Sequence, residues 1–544
     1  MKSERVPILI QIRPIQIIIG IAIVYTLFLS TLSVLQHYGL RTQMNDLGNI
    51  DQALWAASNG DLAMTQSNDT DGKLRSRIGV HANLILWLLA VIYLVLPYPE
   101  MLLILTSVAC ALAGVGIYAI ARQRLGDTWW AVVPAVAFWI SPIVHDANLY
   151  DFHIITVVTA LLVWTLWAFD NDRPRIAWIL LILALSCNED VALATLMLGI
   201  YLFLSGAHRT GLLVASVSLL YFIALLAVIV PFFNDGHGLS KLEGIGNRYA
   251  WLGTNPFEVF QSIIGHPGKV LEHVTHPDRL RLLIYLLLCG GFAGLKAWRV
   301  LLITLPPIAA GLLSNPHWMT RITGTYYWVI CEAIIVTACI FTAEGRIKHV
   351  PRRFPWQLVY LSGATLVFSI LLSPLPYSIS SSWQNYALPP ERHTLEEINQ
   401  AIPVDAAVCV QNNLGPHLSQ RRDIAVFPKR YNSADYALFH LRYVGGPDAG
   451  LFIRTSPDLY AMSLGHLTSV IKRMVLSQEW ELVTQKEGFY LFAHHAPNSK
   501  NHEYALKQVD ADSELLESSY REASRYRWSW SRYLAGSFTW AQLL

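Results

Sequence analysis

Apolar runs long enough to cross a membrane alternate with short charged breaks up to about residue 376, and the pattern then changes to short alternating segments. A helix crossing a bilayer core needs about 20 largely apolar residues. Runs of this kind, some of them shorter, predict helices over 14–36, 99–121, 128–144, 154–169, 174–188, 190–206, 210–232, 280–296, 299–314, 326–343 and 355–376. That amounts to about eleven spans. The first run follows Lys2, Arg5 and Arg13 and lacks a small-x-small cleavage pattern. It therefore reads as a retained anchor with a cytoplasmic N-terminus. The short runs that meet at Asn188-Glu189-Asp190 predict a tilted or interrupted helix.

The apolar segment His81 to Leu96 decides the parity of everything after it. If it spans, Arg122 and Arg124 fall outside and every later basic cluster inverts with them. If it lies along the interface, the clusters Arg122/Arg124, Arg173/Arg175, His208/Arg209, Lys296/Arg299 and Arg346/Lys348/Arg352/Arg353 all fall inside. The positive-inside rule selects the second arrangement, with the C-terminus outside.

After Pro374 to Pro376 the period shortens. Strands are predicted at Ala407 to Gln411, Ile424 to Phe427 and Tyr436 to His440, a short helix through Gly415-Pro416-His417-Leu418, a helix from Ser456 to Leu476, and a hairpin from Trp480 to Ala493. The expected organisation is a transmembrane body over 1–376 with a large first outer loop at 37–98, a small extracytoplasmic α/β domain over 377–496, and a tail over 497–544. The tail mixes Arg521, Arg525, Arg527 and Arg532 with Trp528, Trp530 and Trp540, which suits either an interfacial helix or one packed back on the domain.

Composition agrees with the pattern. Hydrophobic residues make up 53% and charged residues 14%, which excludes an ordinary soluble protein of this length. A net charge of +2 over 544 residues gives no basis for nucleic-acid binding. The six cysteines form neither a disulfide framework nor a zinc spacing.

The organising stretch is Asn45-Asp46-Leu47-Gly48-Asn49-Ile50-Asp51-Gln52-Ala53-Leu54-Trp55, where the first anchor gives way to the first outer loop. On one helix Asp46 and Asp51 point roughly 140° apart, so they do not share a task. Asp46 is the favoured catalytic carboxylate and Asp51 the reserve; the competing reading of Asp46 is a helix N-cap. Other polar side chains collect in outer loops: His81; His145, Asp146, Asp151 and His153; Glu189 and Asp190; Lys241 and Arg248; His317 and Arg321. Charges at a helix break near the membrane usually face a cavity, which favours a functional role for Glu189 and Asp190, and Glu332 inside a span invites the same inference. The set His145, Asp146, Asp151 and His153 has the oxygen and imidazole donors of a divalent-metal site but matches no metal motif. His417 with Arg421 and Arg422 reads either as an anion-binding group or as a solvated face.

Four motifs carry a resemblance: the stretch from Asp46 to Trp55, His81 opening an apolar helix, Cys187-Asn188-Glu189-Asp190-Val191-Ala192-Leu193, and Asn413-Leu414-Gly415-Pro416-His417-Leu418-Ser419-Gln420-Arg421-Arg422. Together they identify the chain as similar to the prokaryotic membrane family called domain of unknown function 2079, over about residues 40–495. More distantly it resembles the GT-C membrane glycosyltransferases, the class of the dolichyl-phosphate mannosyltransferases and the lipid A aminoarabinose transferases. That resemblance implies a GT-C-like polytopic fold with an acidic first outer loop, a polyprenyl-phosphate sugar donor, a glycan, lipid or protein acceptor, and a prokaryotic inner-membrane location with the C-terminal domain in the periplasm. On this reading Asp46 accepts the proton of the attacking hydroxyl, and Arg321, followed by Arg248 and Lys241, holds the leaving phosphate. A lipid or small-molecule transporter or flippase, and a noncatalytic membrane scaffold, are the alternatives. The first predicts internal repeats and the second predicts that the acidic loops tolerate substitution.

Overall fold

The structure is a computed structural model that describes residues 13–67, 71–126, 129–238, 248–349, 355–379, 381, 386–389, 391–441, 464–494 and 502–525. It is a polytopic α-helical membrane fold with a small C-terminal α/β unit. The opening helix, Pro14–Tyr38, buries Ile18, Tyr25, Leu29 and Leu32 and exposes Ile19, Ile23, Val24 and Leu27, so one stripe packs on protein and the other is left for lipid. Its neighbour Pro99–Leu125 is the central helix and packs against Pro14–Tyr38, Val132–Ile140, Ile154–Asp170 and Val329–His349. Four helical runs among the described residues are long and apolar enough to cross a bilayer, or five if the pair Trp129–Ile140 and Pro142–Leu149, bent by 50°, counts as one span.

The run Pro277–Leu313, expected as two spans, is helical throughout but turns back on itself. Arg279 near its start donates to the carbonyls of Leu312 (2.9 Å) and Ser314 (2.8 Å) at its end, so the run leaves one end of the body and returns to it. Gly290, with φ 144°, takes a kink that an L side chain rarely adopts. The segment expected to lie along the interface contains the helix Leu86–Tyr93, about 12 Å long by its rise, well short of a bilayer core. Trp87, Leu88, Val91 and Ile92 on it are exposed.

Two close approaches set the packing of the body. Trp139 fills the space beside Gly114, where an added Cβ would come within 2.2 Å of the indole, and Trp139 Nε1 donates to the Cys110 carbonyl. Helices Val191–Leu204 and His208–Ala224 meet backbone to backbone at Gly199 and Gly211, whose added Cβ atoms would fall 2.4 Å from Ala215 N and 2.3 Å from Phe203 N. Small residues let membrane helices come this close. Gly199→Leu should therefore force the pair apart and cost about 1–3 kcal/mol or more, read as a lower melting temperature in detergent. Gly363→Ala, with open space around it, serves as the control that leaves the melting temperature unchanged.

At the end of the body far from the C-terminal unit, Arg124 donates to Asp170 and to Glu344 (2.5 Å), and its guanidinium lies 3.8 Å from the Phe341 ring centroid. This one side chain joins the ends of three helices. At the other end sits a five-stranded sheet of order β4-β3-β5-β7-β6: β3 Val408–Val410, β4 Ile424–Val426, β5 Tyr436–His440, β6 Trp480–Lys486 and β7 Phe489–His494. β4 and β5 flank β3 in parallel, and β5, β7 and β6 are antiparallel. A separate two-stranded ribbon, β1 Thr65–Ser67 with β2 Leu74–Ser76, lies in the first loop. The expected helix 456–476 is present as Leu464–Leu476, and its first residues lie outside the described set. Of the two readings of the tail, packing back is the one seen for its first part. In helix His502–Arg525, Ala505 and Val509 join the core beside Ile471, and Tyr490 donates to Asp512 (2.6 Å). The residues from Tyr526 onward lie outside the described set.

Candidate functional site

Asp46 sits in a wide π-helical turn, Met44–Gly48, closed by Gly48 N donating to Gln43 O (3.0 Å) and Asn49 N to Met44 O. Such turns often mark functional positions. The turn is capped from another loop: the Asp151 carboxylate accepts from Gln43 N (2.8 Å) and from the Leu47 backbone. The N-cap role open to Asp46 by sequence is thus taken by Asp151, and Asp46 is free of it. Asp151 holds φ 52°, a left-handed conformation that Asp tolerates better than most residues. Burial, with the charge of Asp46 second, pushes the Asp151 carboxyl well above the ordinary range.

Asp46 Oδ1 lies 3.1 Å from His153 Nε2. The other ring nitrogen of His153 faces the Tyr150 carbonyl at 3.0 Å. A carbonyl can only accept, so this contact turns Nδ1 toward the Tyr150 backbone and Nε2 toward the Asp46 carboxylate. The imidazole thus holds the Asp46 carboxylate in place. The Tyr326 ring stacks on the imidazole with centroids 3.4 Å apart, and the Tyr150 ring tilts against both. Burial, then the Asp46 charge, raises the Tyr150 phenol and keeps it neutral. Arg248 lies within electrostatic reach of Tyr326, and Arg321 of Tyr150. Burial works against the Arg248 charge, but Tyr327, Tyr326, Tyr249 and Asp190 outweigh it and hold the guanidinium protonated. Four separate loops thereby bring a carboxylate, an imidazole, phenols and two guanidiniums together.

Accessibility separates the acidic candidates. The Asp46 side chain keeps 20% of its surface exposed, whereas Asp51 has none. Asp51 is clamped by Tyr93 Oη (2.6 Å) and Ser419 Oγ (2.7 Å), both donating to it, and joins the first loop to the C-terminal unit. It is a structural tie rather than a reserve base. Burial pushes its carboxyl up to about 7 against the opposing hydrogen bonds. A carboxyl raised on folding contributes stability that is complete below its unfolded value near 4 and is lost as pH rises through about 7. The contact should tighten between pH 7 and pH 4, read as slower hydrogen exchange over 415–421. Asp51→Asn, fixed in the uncharged form, should remove that pH dependence.

His81 and Glu189 are likewise a clasp. Glu189, 1% exposed, faces His81 Nδ1 (3.1 Å) and accepts from Ala82 N (3.1 Å), while Asn83 donates to the Cys187 carbonyl (2.5 Å). This ties the first loop to the helix break at 186–190. Asp190 is exposed and adds its charge near Arg248. The proposed metal set is split: His145 bonds Ser373 (2.9 Å), Asp146 faces the Gly324 backbone, Asp151 caps the turn, and only His153 meets Asp46. Among the described residues no three His, Cys, Asp or Glu side chains converge as metal ligands, so this donor set does not fit a divalent ion. Glu332 is fully buried beside Ser141, at the bend between two helices. Arg421 is no anion reader: it is buried, donates to Asn399 Oδ1 (2.9 Å) and the Leu418 carbonyl (2.9 Å), and burial lowers it to about 10, whereas Arg422 is exposed. Lys241 and the side chain of His317 lie outside the described set.

Tyr326 is the residue that the sequence hid. The span expected at 326–343 begins at Val329, which leaves Tyr326 and Tyr327 in the loop where they pack on His153 and on each other. The signal available was Gly324 ahead of three successive aromatics, Tyr326-Tyr327-Trp328.

A search of curated proteins finds no match. Among solved structures the chain is similar to ArnT from Cupriavidus metallidurans bound to undecaprenyl phosphate, at 11% identity and a TM-score of 0.44. It is also similar to the apo state of the same protein, at 10% identity and a TM-score of 0.42. Both alignments cover 88% of this chain and 97% of the other. The model of one family, described as a predicted membrane protein of domain of unknown function 2079, matches residues 36–444, well over half of the sequence. The chain therefore belongs to the DUF2079 family of membrane proteins.

Proposed function

We propose that this protein is a membrane glycosyltransferase that moves a sugar from a polyprenyl-phosphate donor to a hydroxyl on an acceptor at the outer face of a prokaryotic cell membrane. The observation that carries the proposal is the Asp46–His153 pair. It is a partly accessible carboxylate oriented by an imidazole, ringed by Tyr150 and Tyr326, and within reach of the loops that carry Arg248 and Arg321. The basic N-terminal flank supports an outward orientation of this end, and with it of the α/β unit over 377–496.

The reaction follows from these parts. Asp46 takes the proton of the acceptor hydroxyl as its oxygen attacks the anomeric carbon, and His153 keeps the carboxylate aimed. The new C–O bond forms as the bond from that carbon to the phosphate oxygen breaks, and the electron pair leaves with the polyprenyl phosphate. Arg248 and Arg321 offset the charge that grows on that phosphate, and a guanidinium suits it by its fork of donors. The lipid chain lies along the apolar flank of the helical body.

The test is the lipid-linked sugar and envelope glycan profile of cells lacking the protein. Loss of one glycan or glycolipid decoration, with its lipid-linked sugar accumulating, is the expected result. An unchanged profile under every growth condition overturns the proposal. A lost decoration that purified protein cannot restore by transfer in vitro would favour a flippase instead.

A further inference from the structure

A groove of about 620 Å³ opens where the helical body meets the C-terminal unit, on the other side of the 412–421 segment from Asp46. One wall is the end of the opening helix and the start of the central one, with His37, Tyr38, Tyr98 and Glu100; the other includes Arg392, Glu396, Asn399 and His417. The size is that of a site for a small polar molecule.

The chemistry of the lining narrows the occupant. Two carboxylates, Glu100 and Glu396, balance two guanidiniums, Arg392 and Arg421. Arg421 is already committed to Asn399 Oδ1 and the Leu418 carbonyl. An anion such as a phosphate headgroup would thus meet little surplus positive charge. Two acceptor atoms of the lining residues also lack a hydrogen-bond partner among the described residues. Tyr38 Oη donates to Glu100 Oε1 (2.6 Å), but buried Oε2 has no hydrogen-bond partner among the described residues. The His417 ring bonds the His37 backbone and stacks on the His37 ring at 4.2 Å, and its buried Nε2 also has no partner among the described residues. Burial keeps this imidazole neutral, so Nε2 offers a lone pair. Two phenol rings flank the opening: Tyr98 is 61% exposed and Tyr38 37%. Bare acceptors, side-chain amides, exposed aromatic faces and no net charge suit a ligand rich in hydroxyl donors with apolar C–H faces.

We propose that this groove is a saccharide-binding site that takes an uncharged sugar unit. The wall between groove and Asp46 turn is thin. Asn412 accepts from Met44 N (2.9 Å) and Asn45 N (3.2 Å) on one side, and His417 five residues on stacks on His37 at the groove. A sugar seated there lies next to the catalytic turn. Calling that sugar part of the acceptor rests on the transferase reading; its binding does not.

The experiment is calorimetric titration of the full chain in phosphatidylcholine nanodiscs with maltose, N,N′-diacetylchitobiose, dodecyl maltoside and phosphoethanolamine. At least one saccharide should saturate, and Tyr98→Ala and Glu100→Gln should each weaken it by about tenfold or more, as the loss of a stacking face or a charged hydrogen bond implies. Gly363→Ala, with open space around it on a helix of the body and outside the groove lining, should leave the affinity within about twofold. Tighter binding of dodecyl maltoside than of maltose identifies a membrane-anchored glycolipid as the source, and equal affinity a free glycan. The proposal is overturned if no saccharide binds the wild type at millimolar concentration, if phosphoethanolamine displaces the sugar, or if Tyr98→Ala binds normally. Tyr98 is exposed, so that variant is read even where Glu100→Gln fails to fold. Saccharide binding without any transfer would sink the transferase reading and leave the groove standing; transfer without saccharide binding would do the reverse.

Discussion

Asp46→Asn is expected to slow sugar transfer by roughly 100- to 10,000-fold, the usual contribution of a positioned proton acceptor. The substitution keeps the size of the side chain and an oxygen that can still accept from His153, so the Met44–Gly48 turn and its cap by Asp151 remain. What disappears is the capacity to take up the hydroxyl proton. Release of polyprenyl phosphate by purified protein measures the rate, and an unchanged melting temperature shows that the loss is chemical. His153→Gln should give a smaller loss, since it disturbs the aim of the carboxylate and not its basicity. Asp51→Asn should retain most of the activity, because that residue is sealed between Tyr93 and Ser419. If Asp46→Asn turns over at the wild-type rate, Asp46 is not the base.

The second large effect is expected from the guanidiniums. Arg248→Ala and Arg321→Ala should each lower kcat by roughly 100- to 1,000-fold, the scale seen when a donor to a developing anion is removed. Arg248→Lys should recover part of this, because the charge survives and the fork of donors does not. The double variant should lose less than the product of the single losses if both act on the same phosphate. Titrating the rate against donor concentration separates two outcomes: a fall in kcat marks stabilisation of the leaving group, whereas a rise in KM alone marks ground-state binding.

Much of this arrangement could be read from the chain. The apolar runs located the helices, and within the segment 81–96 the helix Leu86–Tyr93 is too short to cross a bilayer. The opposite orientations of Asp46 and Asp51 followed from helical geometry, and the two do engage different partners. What local pattern could not supply is pairing at a distance. Asp46 and His153 are 107 positions apart, and Glu189 and His81 are 108. Each of these residues stood out as a polar group in a loop, but only the fold shows that the carboxylate of one pair stays partly accessible and that of the other is buried. Tyr326 was hidden for another reason: an apolar ring next to a hydrophobic helix scores as the helix, and only the start at Val329 releases it to the site. The groove beside Glu100 escaped because its walls come from segments about three hundred residues apart.

Arg124 has a mechanical consequence. It fastens the ends of three helices where short loops and compact ion pairs hold them, whereas the Asp46 end is built of long loops joined by individual hydrogen bonds. Loss of this guanidinium, as in Arg124→Ala, should therefore loosen all three helix ends together, read as a lower melting temperature in detergent.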